Sequence, residues 1–231
     1  MGVLIMNELN ILYEDNHIIV VEKPINVLSQ SDSTNDLDML TILKTYLKEK
    51  YQKPGNVYLG LVHRLDRVVG GVMVFAKTSK AASRLSNEIR LNNVKKTYLA
   101  IVKGKIKDHD TFIDYLLKQD DFNTIVTTKD KGKYAELSYE LLEYNKNKDL
   151  SLVKVNLKTG RHHQIRVQFQ SRGYPLIGDN RYGKNGIKEI GLYAYKLSFI
   201  HPVKKELMEF TCFPKTSLFR EFKFIKESDF K

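Results

Sequence analysis

Residues 63–78 read HRLDRVVGGVMVFAKT, and the division of this stretch sets the class of fold. Val72–Ala76 is a continuous apolar run bounded by Gly70-Gly71 on one side and Lys77-Thr78 on the other, the pattern of a buried strand. Ser79 then caps a helix in which Ala82, Leu85 and Ile89 form the inner stripe, while its outer face is basic. A buried strand thus runs directly into an amphipathic helix.

Working outward, Ile18–Val21 is a second short apolar run, stopped by Lys23-Pro24 because proline cannot extend a sheet ladder. Leu40, Leu43 and Leu47 recur at helical spacing behind Asp36 and Asp38, which can cap the start, and Pro54-Gly55 marks a turn after the helix. Thr97–Val102 reads as a strand, and the polar excursion Lys105–Lys133 has room for a hairpin. Segments 134–144 and 151–157 read as strands around Asn145-Lys146-Asn147. Ile165 and Phe169 lie i,i+4 on a helix closed by Gly173. Residues 192–200 and 207–213 supply two more strands, with Met208, Phe210 and Cys212 alternating onto one face. Strands dominate and helices interrupt them irregularly, so the expected class is α+β with a mixed, largely antiparallel sheet. There is no repeat of 20–50 residues and no Pro/Ser linker, which makes a single domain over residues 1–231 the simplest organisation.

The chain has 231 residues, 42% hydrophobic and 28% charged, with one Cys and a net charge of +11. That composition excludes disordered, collagen-like and disulfide-framed classes. MGVLIMNELN lacks the basic run of a signal peptide, Met6 occupies the Ser/Thr position of a myristoylation signal, and no segment approaches the roughly 18 apolar residues of a membrane span. A cytoplasmic protein with no membrane partner is the expectation. Residues 77–107 carry nine Lys or Arg against Glu88 alone, and residues 154–188 carry eight against Asp179 alone. If the two stretches share a face, that face suits a phosphate backbone; the alternative is two solvated surfaces of a lysine-rich protein.

Three segments carry candidate chemistry. In His63-Arg64-Leu65-Asp66-Arg67 a carboxylate stands between cations, which favour its ionised form and equip it as base or nucleophile. Alone, the motif reads more readily as a surface ion pair beside a glycine turn. In Lys158–Arg166 (KTGRHHQIR) a glycine turn, Arg161 and Arg166 meet a helix start, where an anion such as phosphate is favoured; a merely charged helix start is the alternative. Tyr98 lies on a strand between basic residues, where a ring either stacks on a base or packs in the core. Adjacent His162-His163, the lack of HxxxH spacing and a solitary Cys212 argue against a metal site, and neither a P-loop nor GxGxxG occurs.

In order and spelling these segments resemble the RluA-type family of RNA pseudouridine synthases. The resemblance runs through Ile11–Pro24 (ILYEDNHIIVVEKP), HRLDR, Gly71–Thr78 (GVMVFAKT), Lys96–Gly104 (KTYLAIVKG), Thr159–Arg166 (TGRHHQIR), Gly173–Gly183 (GYPLIGDNRYG) and Leu192–Pro202 (LYAYKLSFIHP). The chain departs where the family usually has Thr-Ser at Val69-Gly70 and Gly at Asn26. It starts almost directly with the catalytic-domain strand, without room for the small N-terminal RNA-binding domain of many relatives. The resemblance implies a pseudouridine-synthase fold, isomerisation of uridine in structured ribosomal or transfer RNA, and no cofactor or metal; a monomer with no required protein partner is the default expectation.

Position by position, the resemblance implies that Asp66 is the catalytic carboxylate, Arg161 the arginine paired with it, and Tyr98 the ring lying against uracil. Arg64 is the side chain suited to enter the RNA as the base leaves, and Ile165 an apolar neighbour of the pocket. His63, Arg67 and Arg166 are expected to join them in holding substrate. Two rival readings are an RNA-binding protein of the same fold without catalysis, hinted at by Val69-Gly70, and a glycosidic hydrolase, which would need a second carboxylate that the motifs lack.

Overall fold

A computed structural model describes residues 9–225 apart from 35, 122, 184–186 and 188. The readings placed on Met6 and the N-terminal segment before residue 9, and on Lys184 and Lys188 of the second basic stretch, lie outside the described residues. The chain forms two compact units, Met1–Val94 with Lys196–Cys212, and Lys95–Tyr195 with Phe213–Lys231.

In the first unit, β1 (Ile11–Glu14) and β2 (Ile18–Lys23) pair antiparallel, and β2 pairs antiparallel with β4 (Gly70–Ala76), which also takes the short β3 (Gly60–Leu61). Both apolar runs foreseen as strands are buried, β4 at all seven positions. Helix α1 (Met39–Lys50) is capped by Asp38, whose carboxylate accepts from the Thr41 N–H at 3.1 Å, and it buries Met39, Ile42, Leu43 and Leu47. It stops at Lys50, short of the Pro54-Gly55 turn. Helix α2 (Ser79–Arg90) is capped one residue earlier than expected, by Thr78, whose hydroxyl accepts from the Ala81 N–H at 3.2 Å. Its buried stripe is accordingly Ala81 and Leu85, with Ala82 and Ile89 half-buried beside it.

Glu14 ties this unit together. Burial would raise its pKa, but bonds from Lys50 (2.7 Å), Lys77 (2.6 Å) and Tyr51 (2.7 Å) outweigh burial and hold it at about 2. From Lys196 onward, β10 (Leu192–Ile200) pairs with β11 (Leu207–Thr211). Just beyond β10, His201 is fully buried. Its Nδ1 accepts the Val203 and Lys204 N–H groups, so Nε2 carries the proton and donates to Asp15 at 3.0 Å.

The second unit holds an antiparallel run of strands in the order β5-β9-β8-β6-β7. Its strands are β5 (Lys95–Lys103), β6 (His109–Lys118), β7 (Thr124–Thr127), β8 (Lys133–Asn145) and β9 (Leu150–Leu157). The polar excursion is indeed a hairpin, with β6 and β7 paired from Tyr115↔Thr127 to Lys118↔Thr124. Helix α3 (Gln164–Gln170) lies on β6 and β7, and Phe169 meets Phe112 and Tyr139 at ring separations of 5.1 and 5.4 Å. As foreseen, Gly173 (φ 81°) closes the helix, with its N–H and that of Tyr174 donating to Gln170 and Phe169 carbonyls. At Gly178 (φ 71°) a Cβ would stand 1.6 Å from the Glu189 carbonyl oxygen, so no other residue fits. A final short helix, α4 (Ser217–Arg220), buries Phe219.

Candidate active site

The first unit carries the HRLDR segment, and its shape follows from what grips it. Asp66 opens a tight turn in which its carbonyl accepts the Val69 N–H at 3.0 Å, and its side chain is half-buried. On one side, Ser29 holds Leu65 twice: its hydroxyl donates to the Leu65 carbonyl at 2.8 Å and accepts the Leu65 N–H at 3.1 Å. On the other side, the Lys23 ammonium donates to the Arg67 carbonyl at 3.1 Å, as well as to Pro24 at 2.8 Å and Val27 at 2.6 Å. Both neighbours of Asp66 are therefore anchored through their backbone.

Lys23 is fully buried, and three carbonyls match the three N–H donors of its charged form. Burial pushes its pKa down to about 7, opposed by the charge of Asp66 and assisted by that of Arg67. Sequence reasoning missed Ser29 entirely and took Lys23 only as the residue before a strand-stopping proline. Ser29→Ala is expected to leave two buried Leu65 groups unmatched, costing about 1–3 kcal/mol. Turnover should fall with the KM for RNA unchanged, and Ser29→Thr should restore both. Full turnover in a destabilised Ser29→Ala variant would mean that this grip does not orient Asp66.

The remaining members of the motif fare differently. Arg64 is exposed. Arg67 pairs with Asp36 at 2.7 Å at the surface, a contact weak enough to exchange for a phosphate. The His63 Nε2 accepts the Val74 N–H at 3.1 Å, so one ring nitrogen completes the edge of β4 where β3 ends. The two departures from the family pattern have physical explanations. Asn26 has φ 63°, the left-handed region that Asn tolerates best after Gly. Val69 is buried and Gly70 begins the buried strand β4, so an apolar pair replaces a hydroxylated one in the core.

In the second unit, Tyr98 is 8% exposed on β5, opposite Val155. The TGR turn is built around Gln164. Its Oε1 accepts from the Thr159 hydroxyl at 2.8 Å and the Arg161 N–H at 3.0 Å, and its Nε2 donates to the Glu136 carbonyl. The Arg161 guanidinium is exposed and donates through Nε to the Tyr134 carbonyl at 2.8 Å. Lys96, two residues before Tyr98 and on the same face of β5, places its Nζ 3.2 Å from where a Gly160 Cβ would stand. Ile165 is buried, and His162 and His163 stack at 3.7 Å, bonded to Thr124 and Tyr182 respectively.

Arg166, expected at the substrate, is buried, and its guanidinium is held bidentate by buried Asp179, both bonds 2.8 Å, an arrangement that serves the fold. The second basic stretch is likewise less cationic in space than along the chain. Lys154 pairs with Glu140, Lys158 with Glu136 at 2.8 Å, and Arg172 with Asp114 at 2.8 Å, so acids distant in sequence neutralise most of its described charge. Among the described residues no group of three or more His, Cys, Asp or Glu could hold a metal ion, and no helix is long and apolar enough to cross a membrane.

A family model described as RNA pseudouridylate synthase matches residues 17–171. A Bacillus subtilis protein named as an uncharacterized RNA pseudouridine synthase is 34% identical over 205 residues, covering 87% of this chain and 67% of its own. Ribosomal large subunit pseudouridine synthase C of Vibrio parahaemolyticus is 32% identical over 208 residues, covering 86% and 64%. The chain thus spans about two thirds of the length of these relatives. Human RNA pseudouridylate synthase domain containing 4 superposes with a TM-score of 0.76 at 22% identity over 93% of each chain, a likeness of fold.

Proposed function

Because the chain belongs to the RNA pseudouridylate synthase family, isomerases that act on RNA, we propose that it converts specific uridines of ribosomal or transfer RNA to pseudouridine with Asp66 as the catalytic carboxylate. The observation that carries this reading is the anchoring of Asp66 between Ser29–Leu65 and Lys23–Arg67, in a half-buried turn.

The N1 glycosidic bond breaks, uracil turns, and C5 joins the same ribose carbon, with the C5 proton leaving and N1 regaining one. No cofactor or water is consumed. The site must extract a stacked base, at a few kcal/mol of lost stacking, and exposed Arg64 and the Tyr98 ring are assigned to offset that cost. Asp66 then acts on the nucleotide either as nucleophile or as base toward the 2′ position, both of which need the ionised form. Arg161 is assigned, as the resemblance implies, to pair with that carboxylate and aim it. His63, Arg67 and Ile165 complete the proposed substrate contacts. The protein works in the cytoplasm as a monomer, without a protein partner.

Carbodiimide mapping of pseudouridine in total RNA, with and without the gene, tests the reading and names the target. Loss of one or a few modified positions is expected. An unchanged map would leave an RNA-binding protein without catalysis, and abasic sites in place of pseudouridine would indicate a hydrolase.

A further inference from the structure

Most described cations of residues 154–188 are matched by carboxylates; Lys96, from the first basic stretch but in the same unit, is not. Its side chain is half-buried, and no carboxylate or carbonyl bonds it among the described residues. Its ammonium rests over Gly160, where even a methyl group would crowd it at 3.2 Å, and the next residue is Arg161, itself fixed by the Tyr134 carbonyl at 2.8 Å. No positive φ requires glycine at that position, and the Lys96 Nζ is the one atom a Cβ there would meet within 4 Å among the described residues. Burial and the neighbouring Arg161 charge both lower the Lys96 pKa, so the ammonium is held at a cost and with no counter-charge.

We propose that Lys96, seated over Gly160 beside Arg161, is a phosphate contact that takes one phosphodiester of the RNA strand whose uridine is isomerised. An ammonium is a compact point charge suited to phosphate oxygens. Strand geometry sets Lys96 about 6.6 Å from Tyr98 along the same face, so one strand presents a ring for a base and a cation for the backbone beside it. This assignment rests on the RNA-isomerase reading for its ligand and deepens it by naming a substrate contact.

The test uses oligouridylate carrying a single neutral methylphosphonate linkage, moved along the strand, with wild type, Lys96→Gln, Lys96→Arg and, as control, Lys95→Gln on the opposite, exposed side of β5. Lys96→Gln is expected to weaken binding of the fully charged oligomer about tenfold at low salt and to lower the slope of log affinity against log salt by about one. Lys96→Arg should restore most of the affinity and the slope. The linkage whose neutralisation weakens the wild type most should have no further effect in Lys96→Gln, because the two changes remove one interaction. Additive losses at every linkage, an unchanged slope, or no wild-type binding at low salt would overturn the phosphate assignment. So would a fall in kcat with affinity and slope intact, which would place Lys96 against the base. If the linkage pattern appears but no RNA gains pseudouridine, the phosphate contact stands and the isomerase reading falls.

Discussion

Asp66→Asn is expected to abolish pseudouridine formation, with kcat falling on the order of 10³–10⁴-fold, the scale seen when one member of a catalytic constellation is removed. Asn is nearly isosteric and retains one acceptor oxygen; the charge is lost and the second oxygen becomes an NH2 donor. Ser29 holds Leu65 through its backbone groups whatever the charge at position 66. RNA affinity and the folded structure should therefore persist. The buried Lys23 ammonium loses the favourable charge of Asp66, so its titration should move still lower. Binding by filter retention and product by carbodiimide mapping separate the two properties. An Asn variant that makes pseudouridine at the wild-type rate would remove Asp66 from the reaction.

The second large effect concerns stability. Arg166→Met strips buried Asp179 of two charge-assisted bonds at 2.8 Å and leaves its carboxylate uncompensated, with the Arg181 and Tyr182 N–H groups at 3.1 Å as its remaining donors among the described residues. Breaking a buried pair in this way costs about 3–5 kcal/mol, a large share of the 5–15 kcal/mol that stabilises a typical domain. The urea midpoint should fall accordingly. A double change to Arg166→Met with Asp179→Leu should recover part of the loss, because no charge is then stranded. A stable Arg166→Met protein with impaired RNA binding would instead support the substrate role suggested by its place in TGRHHQIR.

The contrast between these two residues shows what a linear reading can see. Strands and helices came from local pattern: the apolar run of β4, the Leu43 and Leu47 stripe behind Asp38, and the glycine closing α3 are each decided within a few residues of chain. Thr78 and Ser79 both bear hydroxyls able to cap, and the choice between them turned on which one reached the Ala81 N–H. Asp66 was legible because its motif is contiguous. Ser29 was not, because it grips a residue 36 positions away. A lysine at a strand end reads as a surface group, yet Lys23 is sealed in by carbonyls from two loops. The second basic stretch misled for the same reason: Glu136, Glu140 and Asp114 belong to other strands, so the excess seen along the chain largely disappears in space.

The first unit is assembled from two pieces of chain separated by about a hundred residues. A ribosome making this protein releases β1, β2, α1 and β4 long before β11 and His201, whose Nε2 closes onto Asp15 across 186 positions. The ladders joining β5, β6, β7, β8 and β9 are all in hand by Leu157. That sheet can therefore reach its internal hydrogen bonding during synthesis, whereas each unit awaits a late segment to be complete, Lys196–Cys212 for the one bearing Asp66 and the chain from Phe213 for the other.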